Sequence, residues 1–298
     1  MQKKIIIIIG ITASGKSELC TYLAKKYNSV IINCDSKQIY KEIPIITAQP
    51  LKQEVPYRLY GYISVRESYS VGLWLQDVEK HIQSTWKNLQ LPIITGGSGL
   101  YITSLVRGLS SIPQVSKEVR RNVQELSRNL SKKEFYKLVL SKDHRICSKI
   151  TANDSHRLSR ALEVIIETGK SIYFWQETTR SDMSNFEIYA ILPERAHVYQ
   201  KINSRFIKMI EEGAINEIRN LHNMNLDQNL PAMKAHGIPE IIQHLENKIS
   251  LEEAINIAQI NTRHYAKRQY TWFKNQLPES RIINKPEELH SIDLLGIY

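Results

Sequence analysis

Cysteine is scarce: Cys20, Cys34 and Cys147 are the only three in 298 residues, with no CxxC pair and no histidine at zinc-finger spacing. That excludes a disulfide framework and a structural zinc site, and it fits a reducing cytoplasm. Long apolar runs are missing as well. The opening run from Ile5 to Ile11 is ended by Thr12, Ser14, Gly15 and Lys16, and nowhere does the chain reach the roughly 18 apolar residues of a spanning helix. Neither a signal core nor a membrane segment is expected. There is no internal repeat and no low-complexity tract. Acidic residues are in the minority, 30 against 40 Lys and Arg, which leaves a net charge of +10. With 42% hydrophobic residues the chain is not a disordered polycation. The surplus argues for an anionic partner, nucleic acid first, with solubility as the plainer use of the same charge.

What is present alternates. Ile5 to Ile9 is a continuous β-branched run bounded by Gly10, the pattern of a parallel strand buried on both faces. Val30 to Ile32 and Pro92 to Ile94 repeat it, each after a helical stretch, Glu18 to Tyr27 and Val71 to Leu89. A fourth apolar run, Ile188 to Leu192, follows only after a long charge-rich helical segment, too long for an ordinary crossover. Between Gln114 and Arg180, fourteen Lys or Arg face eight Asp or Glu, a balance of +6. The expected organisation is therefore an α/β core over residues 1–112 and 185–298, with a basic, mostly helical inserted domain over residues 113–184. Helices are also expected from Val198, where Tyr199, Ile202, Phe206 and Ile210 share a face, and over Ile238 to Leu245 and Leu251 to Phe273. The last twenty residues carry little signal.

Gly10-Ile11-Thr12-Ala13-Ser14-Gly15-Lys16-Ser17 matches GxxxxGK[ST] after an expected strand and before an expected helix, the context this phosphate-binding loop requires. Glycines let successive N–H groups turn toward one centre, and the helix N-terminus adds positive potential. Lys16 reaches the outer phosphate, and Ser17 can ligate Mg²⁺. A diphosphate or triphosphate is the expected ligand. A motor ATPase would end the adjacent strand in a metal-binding Asp, but here Ile93-Ile94 runs into Thr95-Gly96-Gly97-Ser98. The carboxylate is supplied instead by Asp35, at the carboxyl end of the Val30 to Ile32 strand, where open α/β sheets place ligands. It is read as a general base or as a partner of Lys16 or Mg²⁺.

The phosphate loop, Asp35-Ser36-Lys37-Gln38-Ile39-Tyr40, Thr47-Ala48-Gln49-Pro50, Gly96 to Tyr101, Asn153-Asp154 with Arg157 and Arg160 to Glu163, and Thr262-Arg263 with Ala266 to Gln269 and Thr271-Trp272 resemble the tRNA dimethylallyltransferases in order and spacing. The resemblance covers about nine tenths of the chain. It implies a P-loop kinase-like parallel sheet core and transfer of a dimethylallyl group from dimethylallyl diphosphate to the exocyclic amine of the adenine 3′ of the anticodon, with Mg²⁺ assistance. The chemistry of the residues themselves puts forward Asp35, Lys16 and Arg157 as the catalytic set, with Arg157 and Arg160 able to contact either the diphosphate or the RNA backbone. Gly10, Thr12, Ala13, Ser14, Gly15, Lys16, Ser17 and Arg160 would hold the donor. Asp35, Ser36, Lys37, Gln38, Ser98, Arg120, His156, Arg157, Leu158, Ser159 and Arg160 would meet the tRNA anticodon stem-loop. Ile11, Ser98 and Gln49 stand where the family usually has proline, threonine and lysine, and Tyr57 to Tyr62 lacks the histidines and acid common there.

The residues themselves agree with such a reaction. A phosphate loop holds a diphosphate whatever is esterified to it, so it can stabilise a leaving group. Adenine's amine is a poor nucleophile, and a nearby carboxylate would help by taking its proton. A stacked anticodon base must first be turned out, which gives the basic helical segment a loop to grip. The C-terminal helix adds Arg263, Lys267, Arg268 and Lys274 among Tyr265, Tyr270 and Trp272, suited to RNA contact or to a plain amphipathic helix. A nucleotide kinase, a prenyltransferase acting on free adenine nucleotides, or a non-catalytic RNA-binding protein are the rivals. Nothing in the chain demands a partner subunit, so a cytoplasmic monomer is expected.

Overall fold

The protein is described by a computed structural model over residues 3–50, 54–177, 185–277 and 279–290. Two compact units result, one made of Met1–Val106 with Asp182–Tyr298 and the other of Arg107–Ser181. Arg180 and a boundary at residue 184 lie outside the described residues. Among the described residues, no helix is long and apolar enough to cross a membrane.

In chain order the elements are β1 (Ile5–Gly10), α1 (Lys16–Lys26), β2 (Ser29–Asn33), β3 (Tyr57–Arg58), α2 (Val71–Lys87), β4 (Leu91–Gly96) and α3 (Gly99–Arg107). These are followed by α4 (Lys117–Asn129), α5 (Lys132–Lys142), α6 (Ser155–Thr168) and α7 (Ile172–Glu177). The chain then returns through β5 (Phe186–Ile191), α8 (Arg195–Glu211), α9 (Ala214–His222), α10 (Ile238–Leu245), α11 (Leu251–Gln276) and β6 (Arg281–Ile283).

The larger unit is an α/β layer structure around one six-stranded sheet in the order β3-β2-β4-β1-β5-β6, with every neighbouring pair parallel. The all-isoleucine β1 occupies an interior position because both its faces are covered. Ile5, Ile7 and Ile9 pack with Trp74, Val78 and Ile82 of α2, Ile102 and Val106 of α3, and Ala266 and Phe273 of α11. Ile6 and Ile8 pack on the opposite face with Leu19, Cys20 and Leu23 of α1. The parallel direction matters for function: all strands deliver their carboxyl ends, and the turns after β1, β2 and β4, to one edge of the sheet. Two short edge strands, β3 and β6, have no counterpart in the sequence pattern. Each is only two or three residues long, and exposed Arg58, Arg281 and Ile282 break up the apolar run that marks the interior strands.

The smaller unit is helical. Val123 of α4, Phe135 and Val139 of α5, and Leu158, Ala161 and Leu162 of α6 form its core with Ile146 and Ile150. Its helix starts are fixed locally. Ser131 and Glu134 form a reciprocal capping box, and the Asp154 carboxylate accepts from the Arg157 amide at 3.1 Å. Buried Asp143 accepts from the Arg145 amide at 3.1 Å and from the Ser171 hydroxyl at 2.7 Å, tying the end of α5 to the start of α7.

Candidate active site

The phosphate loop joins β1 to α1. Ala13 and Gly15 both take positive φ, 60° and 87°, which curls the loop. No side chain caps α1, so its first-turn N–H groups are available to an anion. The Lys16 ammonium folds over the loop, donating to the Gly10 carbonyl at 2.9 Å and the Ile11 carbonyl at 2.7 Å. Burial pulls its pKa down to about 8, against the opposing attraction of the Asp35 carboxylate. Ser17 is exposed at the start of the helix.

Asp35 arrives from the end of β2. Gly96 allows it to stand beside β4, since a Cβ there would lie 2.1 Å from the Cys34 carbonyl oxygen. An Asx turn fixes the carboxylate, which accepts from the Lys37 amide at 2.9 Å, while Asn33 accepts from the Asp35 amide at 2.9 Å. Asp35 and the loop residues Thr12 to Ser17 line one cavity of about 890 Å³.

The neighbouring residues named from sequence serve this scaffold. The Ser98 hydroxyl accepts from the Ser36 amide at 2.8 Å, linking the turns after β2 and β4. Gln38 donates to the carbonyls of Thr47 and Ala48, both at 2.8 Å, and Lys37 donates to the Pro231 carbonyl at 2.6 Å. The polar heads of Gln38 and Lys37 are thus engaged within the protein.

Two residues were given no role by the sequence reading. Arg205 of α8 donates to the Thr12 hydroxyl and lines the cavity with Lys16 and Asp35; burial lowers its pKa while Asp35 raises it. Its signal was there: Arg205 shares a helical face with Ile202 and Met209, an unusual place for a cation that does nothing. Gln269 of α11, only 6% exposed, accepts from the Thr12 amide at 2.9 Å and donates to the Gly97 carbonyl at 2.9 Å. It stitches the phosphate loop to the turn after β4. Tyr265 also reaches the cavity, and burial raises its pKa, whereas Arg263 donates to Asn203 at 2.8 Å.

Arg120, His156, Arg157, Leu158, Ser159 and Arg160 lie in the helical unit. Arg120, His156 and Arg157 are exposed. Arg157 pairs with Asp154 and Arg160 with Glu163, each at 3.3 Å. Leu158 requires a correction. Expected at the RNA, it is 0% exposed and belongs to the core of its unit, so its side chain has no surface to offer a ligand.

A metal must find oxygen donors. Among the described residues no group of three or more His, Cys, Asp or Glu stands ready to hold an ion alone. The Ser17 hydroxyl is a hard donor at the start of α1 and fits a cation shared with a substrate's phosphate oxygens.

Comparison with known proteins finds relatives over nearly the whole chain. The family model described as IPP transferase matches residues 38–276. A tRNA dimethylallyltransferase of Wolbachia pipientis wMel is 66% identical over 296 residues, 99% of this chain and 100% of that protein. A tRNA delta(2)-isopentenylpyrophosphate transferase from Staphylococcus epidermidis superposes with a TM-score of 0.67 at 30% identity, covering 99% of this chain and 96% of that one. A eukaryotic dimethylallyltransferase, crystallised acting on tRNA, gives a TM-score of 0.81 at 25% identity over 99% of this chain and 77% of its own.

Proposed function

The chain belongs to the IPP transferase family of tRNA dimethylallyltransferases, and from that premise we propose that it transfers a dimethylallyl group from dimethylallyl diphosphate to the exocyclic N6 amine of the adenine 3′ of the anticodon in tRNA. The observation that carries this reading is the meeting of Lys16, Thr12, Arg205 and Asp35 on one cavity, which sets a diphosphate cradle beside a carboxylate.

In this reading the diphosphate lies against the first-turn amides of α1, with Lys16 on its outer phosphate. Arg205, anchored to Thr12, adds a second buried positive charge beside it. As the allylic C–O bond breaks, its electron pair leaves with the diphosphate. These groups are already oriented toward the charge that develops, so little reorganisation is needed. The new C–N bond forms from the N6 lone pair, and Asp35 takes the proton that N6 loses. The Asx turn aims the carboxylate, since one of its oxygens is committed to the Lys37 amide. Mg²⁺, held by the Ser17 hydroxyl and the donor's phosphates, would supply further neutralisation of the leaving group.

The helical unit is read as the grip on the anticodon stem-loop. Every described basic residue counted within it is exposed except the half-buried Arg160, a distribution suited to phosphate contact. Arg120, His156, Arg157, Ser159 and Arg160 are assigned to that grip, with Ser36 and Ser98 at the target base. A tRNA substrate supports the cytoplasm as its place of work.

The test is to incubate the purified protein with unmodified tRNA, labelled dimethylallyl diphosphate and Mg²⁺, and to follow the label. Label on adenine next to the anticodon is the expected result. Label on free AMP, or ATP consumption without prenyl transfer, overturns the reading.

A further inference from the structure

The turn after β4, Gly96-Gly97-Ser98-Gly99, is a second glycine-rich loop at a strand end. Its last two glycines are not there for backbone freedom, because neither Gly97 nor Gly99 lies in the left-handed region that favours glycine. What forbids a side chain at each is the C-terminal half of α11. A Cβ on Gly97 would lie 2.3 Å from Gln269 Nε2, and one on Gly99 would lie 2.6 Å from Trp272 Cδ2. Gln269 and Trp272 are three residues apart, so one face of the helix rests on both glycines. Tyr265, one turn earlier on that face, lines the larger cavity. The two glycines are a seat for α11.

Seated there, the Gln269 amide joins two turns. Its Nε2 donates to the Gly97 carbonyl at 2.9 Å, and its Oε1 accepts from the Thr12 amide at 2.9 Å. These two bonds fix the orientation of the group, since the oxygen can only accept and the nitrogen only donate. Gln269 is buried, so an apolar side chain in its place would strand a carbonyl and an amide away from water. Thr12 carries the connection further, because its hydroxyl accepts from Arg205. Among the described residues, that hydroxyl is the hydrogen-bond partner that anchors the Arg205 guanidinium. Gly97, Gln269, Thr12 and Arg205 thus form one chain of contacts from the turn after β4 to a cation on the cavity wall.

Resting on the proposed function, in which the loop holds the donor's diphosphate, we propose that Gln269 is a positioning residue of the diphosphate cradle: through Thr12 it places the Arg205 guanidinium for the leaving group. A methionine at 269 would fill much the same space but release both turns. Thr12 would then move with the loop, and Arg205 would keep its charge while losing a fixed anchor. Hydrogen bonds from a cation to phosphate oxygens weaken steeply with distance and angle, so a displaced guanidinium holds diphosphate less well.

The test measures inorganic diphosphate affinity by isothermal titration, without tRNA or prenyl donor, in the wild type, Gln269→Met, Thr12→Val and the double variant. Gln269→Met should weaken binding about 10- to 100-fold, the worth of one hydrogen bond to a charged group. Thr12→Val, which removes the hydroxyl and keeps the amide, should weaken it by a similar factor. Because both changes act on one guanidinium, the double variant should lose at least about threefold less than the product of the single losses. A glutamine that only supports the fold would give losses that multiply, and that result overturns the proposal. So does a folded Gln269→Met, checked by circular dichroism, that binds diphosphate as the wild type does. One measurement needs no variant: amide hydrogen exchange by NMR should find the Thr12 N–H protected before diphosphate is added, and exchange at the rate of an open loop overturns the bridge. The proposed function fails separately, when no prenyl label reaches tRNA although the diphosphate affinities behave as stated.

Discussion

Lys16 and Arg157 carry the same charge in opposite surroundings. Lys16 sits in the larger unit on carbonyls of its own loop, desolvated until its pKa drops to about 8. Arg205 and Lys37 in the same unit are likewise lowered by burial. In the helical unit Arg157 reaches an acid three residues away, and its side chain is 68% exposed. Exposed pairs of that kind are worth about 0–1 kcal/mol and are screened by salt, whereas charges removed from water interact strongly with whatever shares their cavity. The contrast implies two kinds of work: a few irreplaceable groups in the larger unit, and many interchangeable ones in the helical unit.

The sharpest way to break that contrast is Asp35→Asn. Asparagine keeps the shape and can still accept from the Lys37 amide, but it cannot take a proton at neutral pH. A general base contributes about 10²- to 10⁴-fold, so single-turnover transfer to tRNA should fall by that factor while donor and tRNA affinities stay within about tenfold. Wild-type rates in this variant would remove Asp35 as the base.

Next in size is a pH effect at Lys16. Burial favours its neutral form, so in the free protein the ammonium is held below about pH 8 and lost above it. A bound diphosphate favours the charged form. Donor affinity should therefore be flat just below pH 8 and weaken as pH rises past it, by up to about tenfold per pH unit, because one proton is then taken up on binding. Isothermal titration between pH 7 and 9.5 measures this. Lys16→Arg, charged throughout, should flatten the profile. A flat wild-type profile would mean that Lys16 does not meet the diphosphate.

Much of this fold is legible in the sequence, and the reasons are physical. The β-branched runs of β1, β2 and β4 announce strands buried on both faces, and the glycine spacing from Gly10 to Gly15 announces the loop between β1 and α1. Asp35 follows from the rule that such sheets present their ligands at strand carboxyl ends. The two-residue β3 and three-residue β6 were out of reach because elements that short have no period. Gln269 acts 257 residues from Thr12, and Glu217 holds an amide 172 residues away at Ile45. Only the folded chain brings such partners together. Arg205 was visible in principle as a cation on an apolar face. Leu158 shows the opposite error: a basic neighbourhood suggested RNA contact, but the 3.6-residue period turns this one side chain inward.

The smallest effect tests the other half of the contrast. Arg120 and Arg121 are both exposed on α4. If each meets a tRNA phosphate, binding releases counterions in proportion to the contacts made. Replacing both by Ala should then lower the slope of log affinity against log salt by about 1.4 to 1.8, with affinity falling only moderately at high salt. Donor affinity, which the proposed function gives to the buried cations of the larger unit, should not move. The salt slope is the decisive readout because a general loss of folded protein would lower apparent affinity without changing it. An unchanged slope would return this pair to the solvated surface and leave the grip on tRNA to other basic residues of the helical unit.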